Sequence, residues 1–156
     1  MSNIEKRLDE LEHRVQDVAA RDAIRELTAD YCRQVVRGST EGMVALFTDD
    51  ASLTTHFPEQ SGQDSVAYRG AAELREAYAD LGAMGLMPFI HNHIIELEGE
   101  RARGFCSVEI RLTQGGVAYT GAGHYQDEYR RVDGSWRFQS RELFVYHWAP
   151  YSQGWA

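Results

Sequence analysis

The sequence has few cysteines, no long apolar run and no excess of positive charge, and each absence excludes a class of protein. Among its 156 residues are two cysteines, Cys32 in a helix-like pattern and Cys106 on an apolar strand face. They form neither a disulfide framework nor a metal-binding spacing, so we expect two buried thiols. The formal net charge of −8 is spread along the chain, which disfavours nucleic acid and polyanionic ligands as partners.

Membrane insertion and export are also disfavoured by the sequence. No stretch approaches the roughly 20 apolar residues that span a bilayer. The N-terminal segment MSNIEKRLDELEH is charged and has a helical pattern, unlike a signal peptide. We therefore expect a cytoplasmic protein without a membrane contact, and 43% hydrophobic with 26% charged residues indicate one globular domain.

The first half of the chain predicts helices. A first amphipathic helix is indicated by apolar residues at alternating four- and three-residue steps: Ile4, Leu8, Leu11, Val15 and Val18. This stripe either packs on the domain or contacts a neighbouring subunit, and the sequence leaves both open. A second helix is expected from about Arg21 to Arg37, with Gly38 ending it, a short third one after Ser39, and a fourth ending at Gly82.

The second half predicts a long antiparallel meander. A strand over residues 51–57 and a loop over 58–70 come first, and the later strands are expected over 89–97, 102–112, 117–131 and 136–148. Asp133-Gly134 is a strong hairpin signal. Helices followed by a meander predict an α+β domain in which a curved sheet wraps over the helices and leaves a cavity at its closed end.

The segment His91-Asn92-His93 is the clearest indication of chemistry. It stands at the head of an apolar run, and the two-residue period of a strand would place both imidazoles on one face. Histidine titrates closest to neutral pH, so a cavity on that face would contain an acid or base. The alternatives are a hydrogen-bonded core histidine, or a metal site in which His56 or His124 completes a three-histidine set.

Four segments in this order resemble the SnoaL-like branch of the nuclear-transport-factor-two-like superfamily: RDAIRELTADYCRQVVRG, MVALFTDDASLT, HNHIIELEGERARG and HYQDEYRRVDGSWRFQSREL. Together with the extra N-terminal helix they are similar to scytalone dehydratases, bile-acid dehydratases and hexachlorocyclohexane dehydrochlorinases. The resemblance implies a cone-shaped α+β barrel that works as a trimeric lyase without a cofactor. It divides the chain into an N-terminal helix (1–20), a cone domain (21–148) and an aromatic tail (149–156).

The resemblance also implies roles for single residues. His93 matches the histidine that accepts a proton in these lyases, Tyr31 a helix tyrosine that polarises an oxygen, and Arg141 an arginine that assists a departing anion. Strict alternation places Arg141 on the face opposite Trp136 and Phe138, so its role requires a bulge or a cavity on that face.

One departure from the family pattern matters most. The aspartate that orients the pocket histidine in the relatives is replaced here by Val36, and an apolar side chain cannot hold an imidazole tautomer. We expect Asp127 to take its place, because it shares a strand face with Tyr125 and Tyr129 and that strand could border the one carrying His93.

The sequence thus predicts a mostly apolar pocket for a neutral, partly hydrophobic small molecule. The pocket is expected to contain the catalytic candidates His93, Tyr31, Asp127 and Arg141, and the wall residues His91, Thr55, Leu53, Phe89, Val108, Ile110, Tyr125 and Val36. The leading hypothesis is a cofactor-independent, dehydratase-like lyase or isomerase. The alternatives are a non-catalytic binding protein that has lost the dyad, and the small subunit of a ring-hydroxylating oxygenase.

The C-terminal tail is rich in aromatic residues. Five of them lie in the short span from Phe144 to Trp155, more than a terminus exposed to water normally carries. The tail either packs on a neighbouring subunit, which we favour and which fits a trimer, or closes the mouth of the cone as a lid.

Overall fold

A single long helix, α1 (Asn3–Arg37), replaces the two N-terminal helices expected from the sequence. The computed structural model describes residues 2–153. Ser2 caps the helix in a reciprocal capping box with Glu5, and Gly38, at φ 63°, ends it as expected. The expected break near residue 20 is wrong because the linking residues, Ala19 and Ala20, are the strongest helix formers.

In the described part of the chain, two short helices and six strands follow α1. The helices are α2 (Thr40–Val44) and α3 (Gly70–Gly82). The strands are β1 (Phe47–His56), β2 (Val66–Arg69), β3 (Met87–Glu98), β4 (Arg101–Gln114), β5 (Val117–Val132) and β6 (Ser135–Pro150). Single 3₁₀ turns lie at Glu59–Ser61 and Tyr151–Gln153. The short strand β2 lies inside the segment expected to be only a loop, where it pairs with β1.

The strands form one sheet in the order β2-β1-β6-β5-β4-β3. The predicted α+β cone fold and its β3-to-β6 meander are confirmed. The sheet remains open, because β2 and β3 are its two edges. One pair, β1 with β6, is parallel, because the meander starts at the far edge of the sheet and returns its last strand beside β1.

The core lies between α1, α3 and the inner face of the sheet. From α1 it receives Ile24, Leu27, Tyr31 and Val35, which follow the helical period. A second, smaller apolar cluster on the same face is separate from it and consists of Cys106, Val108, Ile110 and Tyr125. Within the described residues, no helix is long and apolar enough to cross a membrane.

Candidate functional site

A bulge in β3 decides which histidine faces the interior. His91 pairs with Ser107 and Ile94 with Phe105, so Asn92 and His93 together lie opposite the single residue Cys106. Asn92 takes a left-handed conformation there, with φ 52°, which asparagine tolerates better than most residues. The expectation that both imidazoles share a face is therefore wrong: His91 is exposed on the outer face, and His93 is half-buried on the inner one.

A second bulge, in β6, brings Arg141 to the inner face. Glu128 pairs with Ser140 and Tyr129 with Phe138, which leaves Gln139 as the extra residue. The bulge reverses the alternation, so Arg141 lies on the same face as Phe138, and both are completely buried. The bulge that Arg141 requires in order to face inward is therefore present in β6.

Four polar side chains form a continuous chain across the inner face. The Tyr129 hydroxyl lies 3.2 Å from His93 Nε2 and donates a hydrogen bond of 3.0 Å to Asp127 Oδ2. The other carboxylate oxygen, Oδ1, lies 3.3 Å from Arg141 Nε in an ion pair whose two side chains are both fully buried. Asp127 is thus linked to His93, but through Tyr129 and not directly.

Gly104 makes this link possible. The sequence had suggested that the strands of Asp127 and His93 are neighbours. This is wrong, because β4 lies between β5, which carries Asp127, and β3, which carries His93. Gly104 pairs with Asp127 on one side and Ile95 on the other. A Cβ at Gly104 would lie 2.8 Å from the Tyr129 hydroxyl oxygen and 3.2 Å from His93 Nε2. Only a residue without a side chain lets Tyr129 reach across β4.

The direction of the hydrogen bonds defines the tautomer of His93. An ionised carboxylate only accepts hydrogen bonds, so Tyr129 donates to Asp127 and must accept from His93. The proton of neutral His93 then lies on Nε2, and Nδ1, which has no hydrogen-bond partner among residues 2–153, keeps its lone pair. Nδ1 is therefore the atom that could accept a proton from a ligand.

The charges of His93 and Asp127 are set mainly by burial. Burial, with the nearby Arg141 and Arg25 cations, lowers the pKa of His93 to about 4, so the imidazole is neutral at pH 7. Burial raises the pKa of Asp127 to about 6 against the opposing effects of Arg141 and the Tyr129 hydrogen bond. Above about pH 6 the site thus contains a neutral histidine and an ionised aspartate.

Arg141 lies in a box of aromatic rings. Its guanidinium carbon is 3.7 Å from the ring centre of Tyr125, 4.2 Å from that of Tyr31 and 4.5 Å from that of Phe138. These contacts stabilise the cation by cation–π attraction. Nη1 and Nη2 are buried without a hydrogen-bond partner in the described chain, so the guanidinium has donors left for an oxygen or a halide.

Tyr31 is buried against this cation. Its hydroxyl accepts a 3.3 Å hydrogen bond from Tyr78, which leaves its own proton available for donation. Burial raises the pKa of Tyr31 above its ordinary value, with Arg141 opposing. Tyr31 is therefore a neutral hydrogen-bond donor at pH 7.

The predicted wall residues divide between the two faces of the sheet. Leu53, Val108, Ile110 and Tyr125 are buried inside, and Thr55 is half-buried. Val36, 59% exposed, and Phe89, 43% exposed, face solvent, and the placement of both in the pocket is wrong, as it is for His91. Val36 lies on the helix face directed away from the core, and Phe89 precedes the bulge and shares the outer face with His91.

Open grooves lie along the surface of the sheet. One of about 440 Å³ runs over the outer face and is lined by residues such as Ser52, Ile94, Arg103 and Phe105. Gly104 and Asp127 also line this groove, although the Asp127 side chain itself is fully buried. Among residues 2–153 no group of three or more His, Cys, Asp or Glu residues could hold a metal ion. The β3 bulge places His91 and His93 on opposite faces of the sheet, so the three-histidine set does not assemble.

Tyr129 and Gly104 are the site residues that sequence reasoning missed. Tyr129 had a detectable signal, because it stands two residues after Asp127 and so shares its face. Gly104 gave no signal, because its importance depends on the position of β4 between β3 and β5 in the sheet.

Comparison with known proteins agrees with this architecture. Residues 16–142 match the family model of the SnoaL-like domain. The chain belongs to the SnoaL-like family. No curated protein matches it. The solved structures similar to this SnoaL-like chain include several from Novosphingobium species, and their low identities establish a shared fold alone.

A candidate scytalone dehydratase of Novosphingobium aromaticivorans is 21% identical, with a TM-score of 0.75 over 86% of this chain and 89% of that one. An NTF2-like protein with a cystatin-like fold from the same species is 22% identical, with a TM-score of 0.70 over 89% and 90%. The type-3 hexachlorocyclohexane dehydrochlorinase LinA of Novosphingobium barchaimii is 21% identical, with a TM-score of 0.72 over 87% and 92%.

Proposed function

We propose that this SnoaL-like protein is a cofactor-independent lyase or isomerase that acts on a small, partly hydrophobic molecule. The observation that carries the proposal is the chain His93–Tyr129–Asp127, which holds a neutral histidine in one tautomer with Nδ1 free. A positioned base of this type contributes on the order of 10² to 10⁴ to a rate.

In the proposed elimination, Nδ1 of His93 takes a proton from a carbon next to a carbonyl group. The electrons of that C–H bond form a C=C bond, and the hydroxyl on the next carbon departs as water with a proton from Tyr31. Return of the His93 proton to Tyr31 through solvent completes the cycle. In an isomerase, His93 would return its proton to another carbon of the same molecule.

Tyr129 and Asp127 take over the work of the missing dyad carboxylate. When Nδ1 is protonated, the imidazolium donates from Nε2 to Tyr129, which donates to ionised Asp127. The negative charge of Asp127 thus reaches the imidazolium through one hydroxyl group. Both are positioning residues, because neither touches the ligand in this proposal.

The ligand is proposed to bind at the second apolar cluster. His93 lies opposite Cys106, a member of this cluster. Its rim consists of the partly buried side chains Leu86, Ile90 and Leu143, and Arg141 contacts its Tyr125. An apolar surface with one histidine and one cation at its inner end suits a molecule with an apolar ring and one polar group.

The test compares two histidines on one strand. The protein is incubated with a panel of β-hydroxy ketones that carry an apolar ring, and formation of the conjugated enone is followed by absorbance. His93→Ala should lower turnover by about 10² to 10⁴. His91→Ala, on the outer face, should leave it unchanged. Equal turnover of the wild type and His93→Ala would refute the base.

A second candidate is a non-catalytic binding protein. It is favoured by the tight packing around Arg141, which is fully buried and in contact with three rings, since a binding site needs no room for a reaction. In this case members of the panel would shift the protein's amide resonances without being turned over. An oxygenase subunit would instead co-purify with a larger iron-containing chain.

The finer properties expected from the resemblance also belong to this proposal. We expect a cytoplasmic trimer without a cofactor, with the tail from Phe144 onward at a subunit contact. Tyr146 and Tyr151 are 59% and 70% exposed in the single chain, which is compatible with such a contact. Residues 154–156 of the tail lie outside the described residues.

A further inference from the structure

The N-terminal half of α1 projects from the domain with an apolar stripe in solvent. Every residue from Ser2 to Ala19 is exposed, and α1 contacts the core only from Ala20 onward. The stripe residues Ile4, Leu8, Leu11, Val15 and Val18 are 73%, 53%, 47%, 67% and 60% exposed. Of the two possibilities left open by the sequence, packing on the chain's own domain is thus excluded.

The spacing of the stripe is that of a coiled coil. Leu8 and Val15 occupy the first (a) position of successive heptads, and Ile4, Leu11 and Val18 occupy the fourth (d) position. The stripe ends at the domain, because the next a and d positions are Asp22 and Arg25. Over residues 4–18 it is about 21 Å long at 1.5 Å per residue.

We propose that residues 4–18 of α1 bind the same segment of further copies of this chain in a parallel coiled coil. The occupant follows from the charges beside the stripe. Arg7, Arg14 and Arg21 stand at the g positions, and Glu5 and Glu12 stand at the e positions. In a parallel pair, g residues face e residues of the partner helix, so arginine meets glutamate.

An antiparallel pair would be repulsive. It would place g residues beside g residues and e beside e, so arginines would meet arginines and glutamates would meet glutamates. Within the described chain, Arg7, Glu12 and Arg14 have no ion-pair partner, so their charges are available for a second copy. Arg7 with Glu12 of the next helix is the attractive pair that the parallel arrangement creates.

The a and d residues leave the number of helices open. Ile4 at d beside Leu8 at a is typical of trimers and tetramers, whereas Val15 at a beside Leu11 at d is typical of dimers. The stripe is short, but the helix is already nucleated by the domain, which removes the main cost of forming a short helix. Residues 4–15 precede the family match, which begins at residue 16.

Disulfide trapping in the full-length protein tests orientation. In a parallel coil, copies of residue 8 meet each other, whereas in an antiparallel one residue 8 meets a residue near position 14. Leu8→Cys should therefore form a two-chain product on mild oxidation. Gln16→Cys, equally exposed on the opposite side of the helix, should not. Equal trapping of both variants, or none of Leu8→Cys, would overturn the proposal.

A charge series tests the stripe without a crosslink. Leu11→Glu should raise the concentration of half-dissociation by about tenfold or more, since a charge would enter the seam, and Gln16→Glu should not change it. Sedimentation velocity measures both. Arg7→Glu should weaken assembly, and Arg7→Glu with Glu12→Arg should restore it; a tightening by Arg7→Glu alone would indicate the antiparallel arrangement and refute the proposal.

Discussion

At the scale of the residue, the site depends on one hydroxyl group. Tyr129 lies between His93 and Asp127 and contacts both. It transmits the charge of a carboxylate that cannot touch the imidazole, since β4 lies between their strands. The direct histidine–aspartate contact expected from the family pattern is thus replaced by two successive hydrogen bonds through Tyr129. Both bonds have to keep their direction for Nδ1 of His93 to stay free.

Tyr129→Phe should therefore lower kcat/KM and also change its pH dependence. A hydrogen bond to a charged group contributes about 1.5–3 kcal/mol, or roughly 10- to 150-fold in rate. In the wild type, activity should fall as pH is lowered through about 6, because Asp127 becomes protonated there. Without the hydroxyl, the acid limb should move towards the pKa of His93, about 4.

The pH profile separates this role from a merely structural one. Tyr119→Phe is a matched control, because Tyr119 stacks on Trp148 and is not part of the polar chain. It should keep both the rate and the acid limb. A Tyr129→Phe variant with reduced activity and an unchanged limb near pH 6 would contradict the relay.

At the scale of the element, two bulges create the site. Regular alternation predicts the faces of most strand residues correctly, including Asp127, Tyr125 and Val108. It fails after Asn92 and at Gln139, where an extra residue reverses the faces. The side chains brought inside by these reversals are His93, the proposed base, and Arg141, the cation beside the proposed ligand site.

This explains what the sequence could predict. The helix pattern, the hairpin signal and the family segments suffice for the fold. Residue chemistry and strand faces indicate His93 and Asp127 as candidates, whereas Arg141 is a candidate only through the family resemblance. The bulges could not be predicted, because an asparagine or glutamine in a strand has no distinctive pattern until its partner strand is known. The role of Gly104 depends on sheet order for the same reason.

The β3 bulge should be sensitive to a β-branched residue. Asn92→Val should destabilise the protein by about 1–3 kcal/mol, because valine is strained at positive φ, whereas Asn92→Gly should be tolerated. Urea unfolding measures both changes. If valine is accepted as readily as glycine, the left-handed conformation at φ 52° does not hold in solution.

At the scale of the whole molecule, a buried ion pair joins the two apolar clusters. Arg141 contacts Tyr31 and Phe138 on the side of the main core and Tyr125 in the smaller cluster. Its only carboxylate contact among the described residues is Asp127. Burying such a pair costs desolvation free energy that its attraction repays only in part, so the pair is better explained by function than by stability.

Arg141→Leu should make the protein's stability depend strongly on pH. Asp127 already has a folded-state pKa above its unfolded value, so its ionisation destabilises the fold as pH rises from about 4 to 6. Without the cation this pKa rises further, and the loss continues to higher pH. We expect a destabilisation of about 3–5 kcal/mol at alkaline pH, where a lone buried charge would remain, and a smaller one near pH 5.

Urea unfolding of the wild type and the variant at about pH 5 and pH 8 measures this difference. The double variant Arg141→Leu with Asp127→Asn is the control: it removes both charges, so its stability should depend little on pH and should exceed that of Arg141→Leu at pH 8. Removal of Arg141 also raises the pKa of His93, since that cation lowers it. A higher His93 pKa destabilises the fold less at pH 5, so this change also makes the loss of stability smaller at pH 5 than at pH 8. An equal loss of stability at both pH values would show that Asp127 does not depend on Arg141 for its charge, and the polar chain would then end at Asp127.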